Sequence, residues 1–192
     1  MSTAVILAGG GSRRMGSDKL ALPFDGATLL DSAVRRYREF FDRVYLSLAD
    51  ASKYPEIEII RVVDVFSGRG PIAGLHAALE AAEDDGVFLV AADMPFSNPR
   101  AARALIELCG DHDACVTADA RGRFEPLFGF YKKAVAPVAE RQIVSGNYQM
   151  AELLREIRTR IVPPAGLGEF WSGEMLMNVN RPEDYKKLME GL

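Results

Sequence analysis

The stretch "TAVILAGGGSRRMGSDK", residues 3–19, joins an apolar run to a segment rich in glycine and basic residues. The run at 3–8 contains β-branched residues and no polar alternation, which is typical of a strand buried on both faces of a parallel sheet. Glycines in the following segment let backbone N–H groups approach an anion, and the positive charges of Arg14 and Lys19 add to that attraction. The stretch therefore predicts a first strand that ends in an anion-binding turn.

Apolar runs of four to seven residues alternate with segments of helical period along the rest of the chain. Further strands are predicted at 43–49, 59–63, 87–93, 114–118, 125–131, 159–163 and 174–179. Helices are predicted at 30–41, 70–83, 98–110, around 132–140, at 149–157 and from residue 182. This alternation is typical of βαβ units, so we expect one α/β domain over 1–192 with a mostly parallel sheet.

Polar or glycine-rich sequence follows three of the predicted strands. These exits read "AGGG" at 8–11, "VVDV" at 62–65 and "AADMPF" at 91–96. Ligands of open α/β sheets bind outside the carboxyl ends of the strands. We therefore expect the three exits to line a single cleft.

Composition excludes several classes of function. The chain has 192 residues, of which 48% are hydrophobic and 26% charged, and its net charge is −4. A negative charge gives no global attraction to nucleic acid or to an anionic membrane surface. No apolar run approaches the roughly 18 residues that read as a transmembrane helix, and the N-terminus has no leader pattern. We expect a cytoplasmic protein with no nucleic-acid or membrane partner.

Two widespread phosphate-binding patterns fail on the glycine-rich segment. The dinucleotide pattern G-x-G-x-x-G fits Gly9 and Gly11 but meets Arg14 at its third glycine. The P-loop pattern fits Gly11 and Gly16 but then requires Lys-Ser or Lys-Thr, whereas Lys19 comes two residues later. The residue types still suit a triphosphate, because arginine grips phosphate oxygens bidentately and lysine supplies a point charge.

The whole of 7–19 resembles the signature of the molybdenum cofactor guanylyltransferases, L-A-G-G-x-S-x-R-M-G-x-D-K. Three further blocks resemble those of the family in the same order: "GPIAG" at 70–74, "AADMPF" at 91–96 and "NVNRPEDY" at 178–185. The family belongs to the nucleotidylyltransferases. The resemblance therefore implies a Rossmann-like, three-layer domain of nucleotidyltransferase type that spans the chain.

The resemblance also implies a reaction. The family transfers GMP from GTP to the terminal phosphate of molybdopterin, releases pyrophosphate and forms the guanine dinucleotide cofactor. It implies Mg²⁺ as the metal, with Asp93 of the D-M-P block as its ligand. The expected partners are GTP and molybdopterin, together with molybdopterin-synthesis proteins and the molybdoenzyme apoproteins or chaperones that receive the product.

Site residues follow from the same match. Lys19 and Arg14 are expected to neutralise the triphosphate and the leaving pyrophosphate, and Asp93 to act with them in catalysis. Asp64 is expected to accept hydrogen bonds from the ribose or from guanine, because a carboxylate has two acceptor oxygens. Gly10 in L-A-G-G favours GTP over CTP. The other expected substrate contacts are Leu7, Ala8, Gly9, Gly70, Gly74, Asn178 and Asn180.

Several alternatives stay open at this point. The same fold also serves CTP transfer to molybdopterin or transfer to a sugar phosphate, and a nucleotide-binding sensor without turnover is a third hypothesis. The family often has an asparagine where this chain has Ala49 or Asp50. Arg121 and Arg123 fit either the pterin phosphate or a solvated turn.

Overall fold

Nine strands and seven helices are present in residues 1–9 and 18–190, the parts of the chain that this computed structural model describes. The strands are β1 (Thr3–Leu7), β2 (Pro23–Phe24), β3 (Ala27–Thr28), β4 (Arg43–Leu48), β5 (Ile60–Val63), β6 (Gly86–Ala91), β7 (Ala114–Ala118), β8 (Phe124–Lys132) and β9 (Thr159–Val162). The helices are α1 (Leu29–Arg38), α2 (Pro71–Ala81), α3 (Pro99–Leu108), α4 (Ala136–Val144), α5 (Met150–Glu156), α6 (Pro164–Leu167) and α7 (Pro182–Glu190).

The main sheet has seven strands in the order β5-β4-β1-β6-β8-β7-β9. Only β8 runs antiparallel to its neighbours, which confirms the predicted mostly parallel sheet. Leu7 at the end of β1 pairs with Ser47 of β4 on one side and Ala91 of β6 on the other. Leu48 pairs in turn with Val63 of β5. The carboxyl ends of four parallel strands therefore lie side by side.

Side chains alternate across the sheet and divide the core into two layers. Ile6 of β1 packs in the cluster that α1 and α3 cover, whereas Val5 packs in the cluster that α2, α4 and α5 cover. Both residues are fully buried, as expected for a strand with helices on both faces. The result is the three-layer α/β arrangement that the sequence predicts.

The strand predicted at 174–179 is wrong. The backbone there folds into turns, in which the N–H of Met175 donates to the Ser172 carbonyl at 3.2 Å and that of Met177 to the Glu174 carbonyl at 2.8 Å. Met175 and Val179 are nevertheless buried. The need to bury Met175 and Val179 accounts for the apolar pattern. The backbone hydrogen bonds of the segment, however, are those of turns and not those between neighbouring strands.

Two smaller features also differ from prediction. In the region of the helix expected around 132–140, β8 continues to Lys132, a 3-10 turn spans Lys133–Val135, and α4 begins at Ala136. The hairpin of β2 and β3 was not predicted, although its turn residues Asp25 and Gly26 have φ of 50° and 72°. An Asp-Gly pair with positive φ at both positions is a frequent hairpin turn.

Within the described residues, no helix combines the length and apolar character of a bilayer span.

Candidate active site

A cleft lies at the carboxyl ends of β5, β4, β1 and β6. The three predicted exits meet there, since Gly9, Asp64 and Asp93 all line it. Its described lining comprises Leu7, Ala8, Gly9, Lys19, Leu20, Ser47, Ala49, Asp64, Gly68, Gly70, Pro71, Gly74, Ala91, Asp93 and Leu127. This is the position at which an open α/β sheet binds its ligand.

Glycines shape the inner wall of the cleft. A Cβ at Gly74 would lie 2.6 Å from the Ser47 Oγ and 2.7 Å from the Leu7 Cδ2, so a side chain there would push α2 away from the sheet. Gly70 precedes α2 with φ of 75°, a conformation that other residues rarely adopt, and Pro71 begins the helix. A Cβ on Gly9 would lie at ordinary contact distance from the cleft wall, 3.6 Å from the Ala49 nitrogen and 3.8 Å from Asp64 Oδ2.

Asp64 provides a carboxylate on this wall. The Ser47 hydroxyl donates to its Oδ1 at 3.4 Å, and the Asp64 N–H donates to the Leu48 carbonyl at 3.1 Å. Burial raises the pKa of the Asp64 carboxyl, and the Ser47 hydrogen bond opposes that shift. The group has acceptor capacity left for a ligand, because a carboxylate accepts about four hydrogen bonds.

Lys19, Asp93 and Asn180 converge at the other end of the cleft from three distant segments of the chain. The Lys19 ammonium pairs with Asp93 Oδ2 and donates to Asn180 Oδ1 at 2.9 Å. The side chains of Lys19 and Asp93 are only 13% and 15% exposed, so solvent screens this pair weakly. The three residues place one positive charge and two acceptor oxygen atoms in the cleft, beside the end of β1.

The two asparagines differ in their surroundings. The N–H of Val179, between them, donates to the Asp93 carbonyl at 2.9 Å and fixes this segment against the end of β6. Asn180 thereby reaches Lys19, and its own N–H donates to Asp184 at 3.0 Å. The Asn178 amide instead donates to the Leu176 carbonyl at 3.2 Å. The structure brings Asn180 to the Lys19 cluster, and the role expected of Asn178 stays a prediction.

Two expected site residues, Gly10 and Arg14, lie outside the described residues.

Ala49 and Asp50, the two positions at which the family often has an asparagine, differ in their relation to the cleft. Ala49 lines the cleft, whereas the Asp50 carboxylate accepts from the Ser52 N–H at 2.9 Å and hydroxyl at 2.7 Å. The position that faces the cleft therefore carries a methyl group.

Arg121 and Arg123 lie in the turn before β8. The Arg123 guanidinium pairs with Asp119 at 2.7 Å, and its side chain is 74% exposed. The backbone N–H of Arg121 donates to the same carboxylate at 2.8 Å. These contacts describe a turn stabilised by Asp119, and the expected contact with the pterin phosphate remains untested.

Glu125 lies beside the site, outside the cleft lining, and the sequence did not reveal this position. Its Oε1 accepts from the N–H of Leu127, which lines the cleft, at 3.0 Å. The pairing of β7 with β8 shifts here, so that Thr117 faces Glu125 while Val116 faces Gly129. Burial raises the Glu125 pKa, and the nearby Asp93 carboxylate raises it further. A charged residue inside a predicted strand was the available signal, and bulges of this kind are frequent beside active sites.

Comparison with known proteins identifies the family. A family model described as the MobA-like NTP transferase domain matches residues 4–161. A probable molybdenum cofactor guanylyltransferase from Carboxydothermus hydrogenoformans is 33% identical over 189 residues, which cover 98% of this chain and 95% of that protein. The chain belongs to the molybdenum cofactor guanylyltransferase family. It is therefore a nucleotidyltransferase, as the sequence blocks predicted.

Solved structures share the fold. Molybdopterin-guanine dinucleotide biosynthesis protein A from Archaeoglobus fulgidus superposes with a TM-score of 0.85 at 26% identity, and the match covers 99% of this chain and 100% of that one. A Mycobacterium tuberculosis protein solved as a complex with manganese superposes with a TM-score of 0.72 at 20% identity, covering 99% and 98% of the two chains. The second likeness establishes the fold alone.

The raised pKa of Asp64 predicts a pH-dependent effect on stability. The unfolded chain ionises this carboxyl at a lower pH than the folded chain does, so Asp64 lowers the free energy of unfolding as pH rises through that interval. Asp64→Asn should raise the Tm at pH 7 and lose this advantage below about pH 4, near the ordinary carboxyl pKa. Thermal melts between about pH 3 and pH 8 measure the difference, since they extend below the ordinary carboxyl pKa.

Asp50→Asn is the matched control. Hydrogen bonds from Ser52 lower the pKa of Asp50, so ionisation of this carboxyl favours the folded chain above the ordinary carboxyl pKa. This variant should therefore gain no stability as pH rises. A Tm gain at pH 7 for both variants, or for neither, would contradict the assignment of the Asp64 shift to burial.

Proposed function

We propose that the protein transfers GMP from GTP to the terminal phosphate of molybdopterin, releasing pyrophosphate and forming the guanine dinucleotide cofactor. The observation that carries the proposal is the cluster of Lys19, Asp93 and Asn180 beside a cleft that is walled by glycines. Family membership supports the same reaction. The similarity to molybdenum cofactor guanylyltransferases supports the proposed acceptor, and the cleft geometry supports the arrangement proposed for the donor nucleotide.

The base and ribose of GTP are proposed to occupy the inner part of the cleft. Backbone groups of Leu7, Ala8 and Gly9 would face the base, while the segment from Gly70 to Gly74 would close the pocket.

Asp64 would then accept from the ribose hydroxyls, or from N1–H and the amino group of guanine. Cytosine lacks an adjacent pair of donors of this kind, so the second arrangement would select GTP. The Gly10 backbone is proposed to contribute to the same selection.

Phosphoryl transfer here requires position and charge neutralisation more than acid–base chemistry. The terminal phosphate of molybdopterin is already anionic at pH 7, so its oxygen attacks the α-phosphorus without a general base. The bond between that phosphorus and the bridging oxygen breaks, and pyrophosphate leaves with the electron pair. Lys19, with Arg14 proposed beside it, would neutralise the negative charge that the leaving group gains.

The described donors fit a Mg²⁺ ion. Asp93 and Asn180 present oxygen atoms to the Lys19 ammonium, so they already form a place for a cation. Mg²⁺ needs only one or two carboxylates when phosphates and water complete its shell. Within residues 1–9 and 18–190, no group of three or more acidic, cysteine or histidine side chains forms a fuller site. Asp93 is the proposed metal ligand, and Asn178 or Asn180 would complete the metal or substrate site. Bound Mg²⁺ would neutralise the negative charge of the phosphates.

We propose partners on both sides of this reaction. Proteins that make molybdopterin would supply the acceptor, and molybdoenzyme apoproteins or their chaperones would take the product. The cytoplasm is the proposed location, because such proteins would meet there. The proposal does not extend to any nucleic acid or membrane partner.

Asp93→Asn tests the catalytic assignment. The amide keeps the size of the side chain but removes the negative charge that would hold Mg²⁺, so pyrophosphate release with GTP, Mg²⁺ and molybdopterin should fall at least about 100-fold, as for loss of a preorganised charged group. Asp50→Asn is the control, since it removes a charge from a carboxylate bonded to Ser52. Robust turnover by the folded Asp93→Asn variant would overturn the metal assignment.

Nucleotide choice tests the assignment of the base. GTP should bind the wild-type chain at least about tenfold more tightly than CTP, because unpaired donors or acceptors in a recognition site cost about 1–3 kcal/mol. Competition between the two nucleotides in a binding assay measures the ratio. Preference for CTP would favour cytidylyl transfer instead. Tight GTP binding without pyrophosphate release, with any acceptor, would favour a sensor.

A further inference from the structure

Tyr54 has an unusual backbone conformation close to the site. Its φ is 55°, in the left-handed region that residues with large side chains rarely adopt. Among the described residues other than glycine, Asp25 also has a positive φ, but Asp25 lies in the hairpin turn of β2 and β3. Tyr54 lies in no hairpin, so its conformation needs a different explanation. Strained residues of this kind persist only where surrounding contacts hold them.

Arg61 of β5 holds the Tyr54 backbone in place. Its guanidinium donates to the Tyr54 carbonyl, to the Lys53 carbonyl at 2.6 Å and to the Ile57 carbonyl at 3.2 Å. A planar guanidinium with five donors suits several carbonyl oxygens at once. The loop between β4 and β5 is therefore fixed by a residue of the sheet itself.

This fixed loop brings the Tyr54 hydroxyl to Asp18. The hydroxyl donates to Asp18 Oδ2 at 2.6 Å, a contact between residues 36 positions apart. Burial and the Asp18 carboxylate raise the pKa of the Tyr54 phenol, so it keeps its proton and remains a donor. A hydrogen bond from a neutral hydroxyl to a carboxylate is of the strong, charge-assisted type.

Asp18 in turn fixes the segment that carries Lys19. Its other oxygen, Oδ1, accepts from the N–H of Leu20 at 3.1 Å and caps the short 3-10 turn Lys19–Ala21. Leu20 is 4% exposed and anchors this turn in the core. Tyr54, Asp18 and the Lys19 turn thus form a continuous chain of contacts that ends at Asp93.

We propose that Tyr54 is a positioning residue that holds Lys19 in place for the nucleoside triphosphate. This inference rests on the proposed function and extends it to a residue outside the cleft lining. With Oδ2 accepting from the Tyr54 hydroxyl and Oδ1 from the Leu20 N–H, the Asp18 carboxylate ties the Lys19 turn to the loop that Arg61 fixes. Loss of the hydroxyl would remove this tie and let the Lys19 ammonium shift from its place beside Asp93.

Tyr54→Phe tests the proposal, because it removes one oxygen and retains the ring. Tyr185→Phe is the matched control: that side chain is also partly buried, and its hydroxyl donates one hydrogen bond of 2.7 Å to the Pro23 carbonyl. Calorimetry would measure the Kd of GTP and of guanosine for each variant. Tyr54→Phe should weaken GTP binding about tenfold, as for loss of a hydrogen bond to a charged group, and change guanosine binding less than about twofold. Tyr185→Phe should change neither.

A Lys19→Ala background adds a second check. If Tyr54 acts through Lys19, Tyr54→Phe should have no further effect on the GTP-to-guanosine ratio in this background. An additive loss there, an equal loss for both ligands, or unchanged GTP binding in Tyr54→Phe would overturn the proposal.

The wild-type chain tests the proposed function separately. If it prefers CTP, the base assignment fails and the Tyr54 ratio is measured with CTP and cytidine. A wild-type chain that binds no nucleoside triphosphate contradicts both proposals.

Discussion

Parallel pairing of β5, β4, β1 and β6 is the constraint on which the site depends. Because these neighbours run in one direction and pair in register, their carboxyl ends form a common edge. Asp64 follows β5 and Asp93 follows β6, so the sheet sets the spacing between the two carboxylates. Gly74 then allows α2 to pack directly on this edge, where a side chain would collide with Ser47. The cleft therefore depends on the parallel direction of these four strands and on the lack of a side chain at Gly74.

Charge is distributed unequally along that edge. The inner end holds Asp64, whose pKa burial raises, beside Gly9 and Gly74. The outer end holds Lys19 between Asp93 and Asn180, with most of the first two side chains shielded from solvent. This separation matches a nucleotide with a neutral base at one end and a polyanion at the other. The Lys19 contacts also keep opposite charges paired, since burying an unpaired charge is costly.

Local sequence predicted much of this arrangement, because the strands and their polar exits are encoded by adjacent residues. Apolar runs marked the parallel strands; Asp64 stood immediately after one predicted strand and Asp93 at the end of another. What the sequence did not predict depends on contacts between distant segments. The hydrogen bond from Tyr54 to Asp18 requires the folded loop before β5, and the position of Glu125 requires a shift in the pairing of β7 with β8. Residues 174–179 have the apolar pattern of a strand, yet they form turns. Local backbone hydrogen bonds and the bond from the Val179 N–H to the Asp93 carbonyl hold them in that conformation.

We propose that the edge of the sheet binds the base near Gly9 and the metal at Asp93. A crystal structure with a non-hydrolysable GTP analogue and Mn²⁺ would test this arrangement, because anomalous scattering locates the metal independently. Mn²⁺ should lie within about 2.2 Å of an Asp93 oxygen, the usual range for a metal bound by carboxylate, with guanine between Gly9 and Gly74. The Lys19 ammonium should contact a phosphate oxygen. Metal bound away from Asp93, or a nucleotide outside this cleft, would contradict the proposed arrangement.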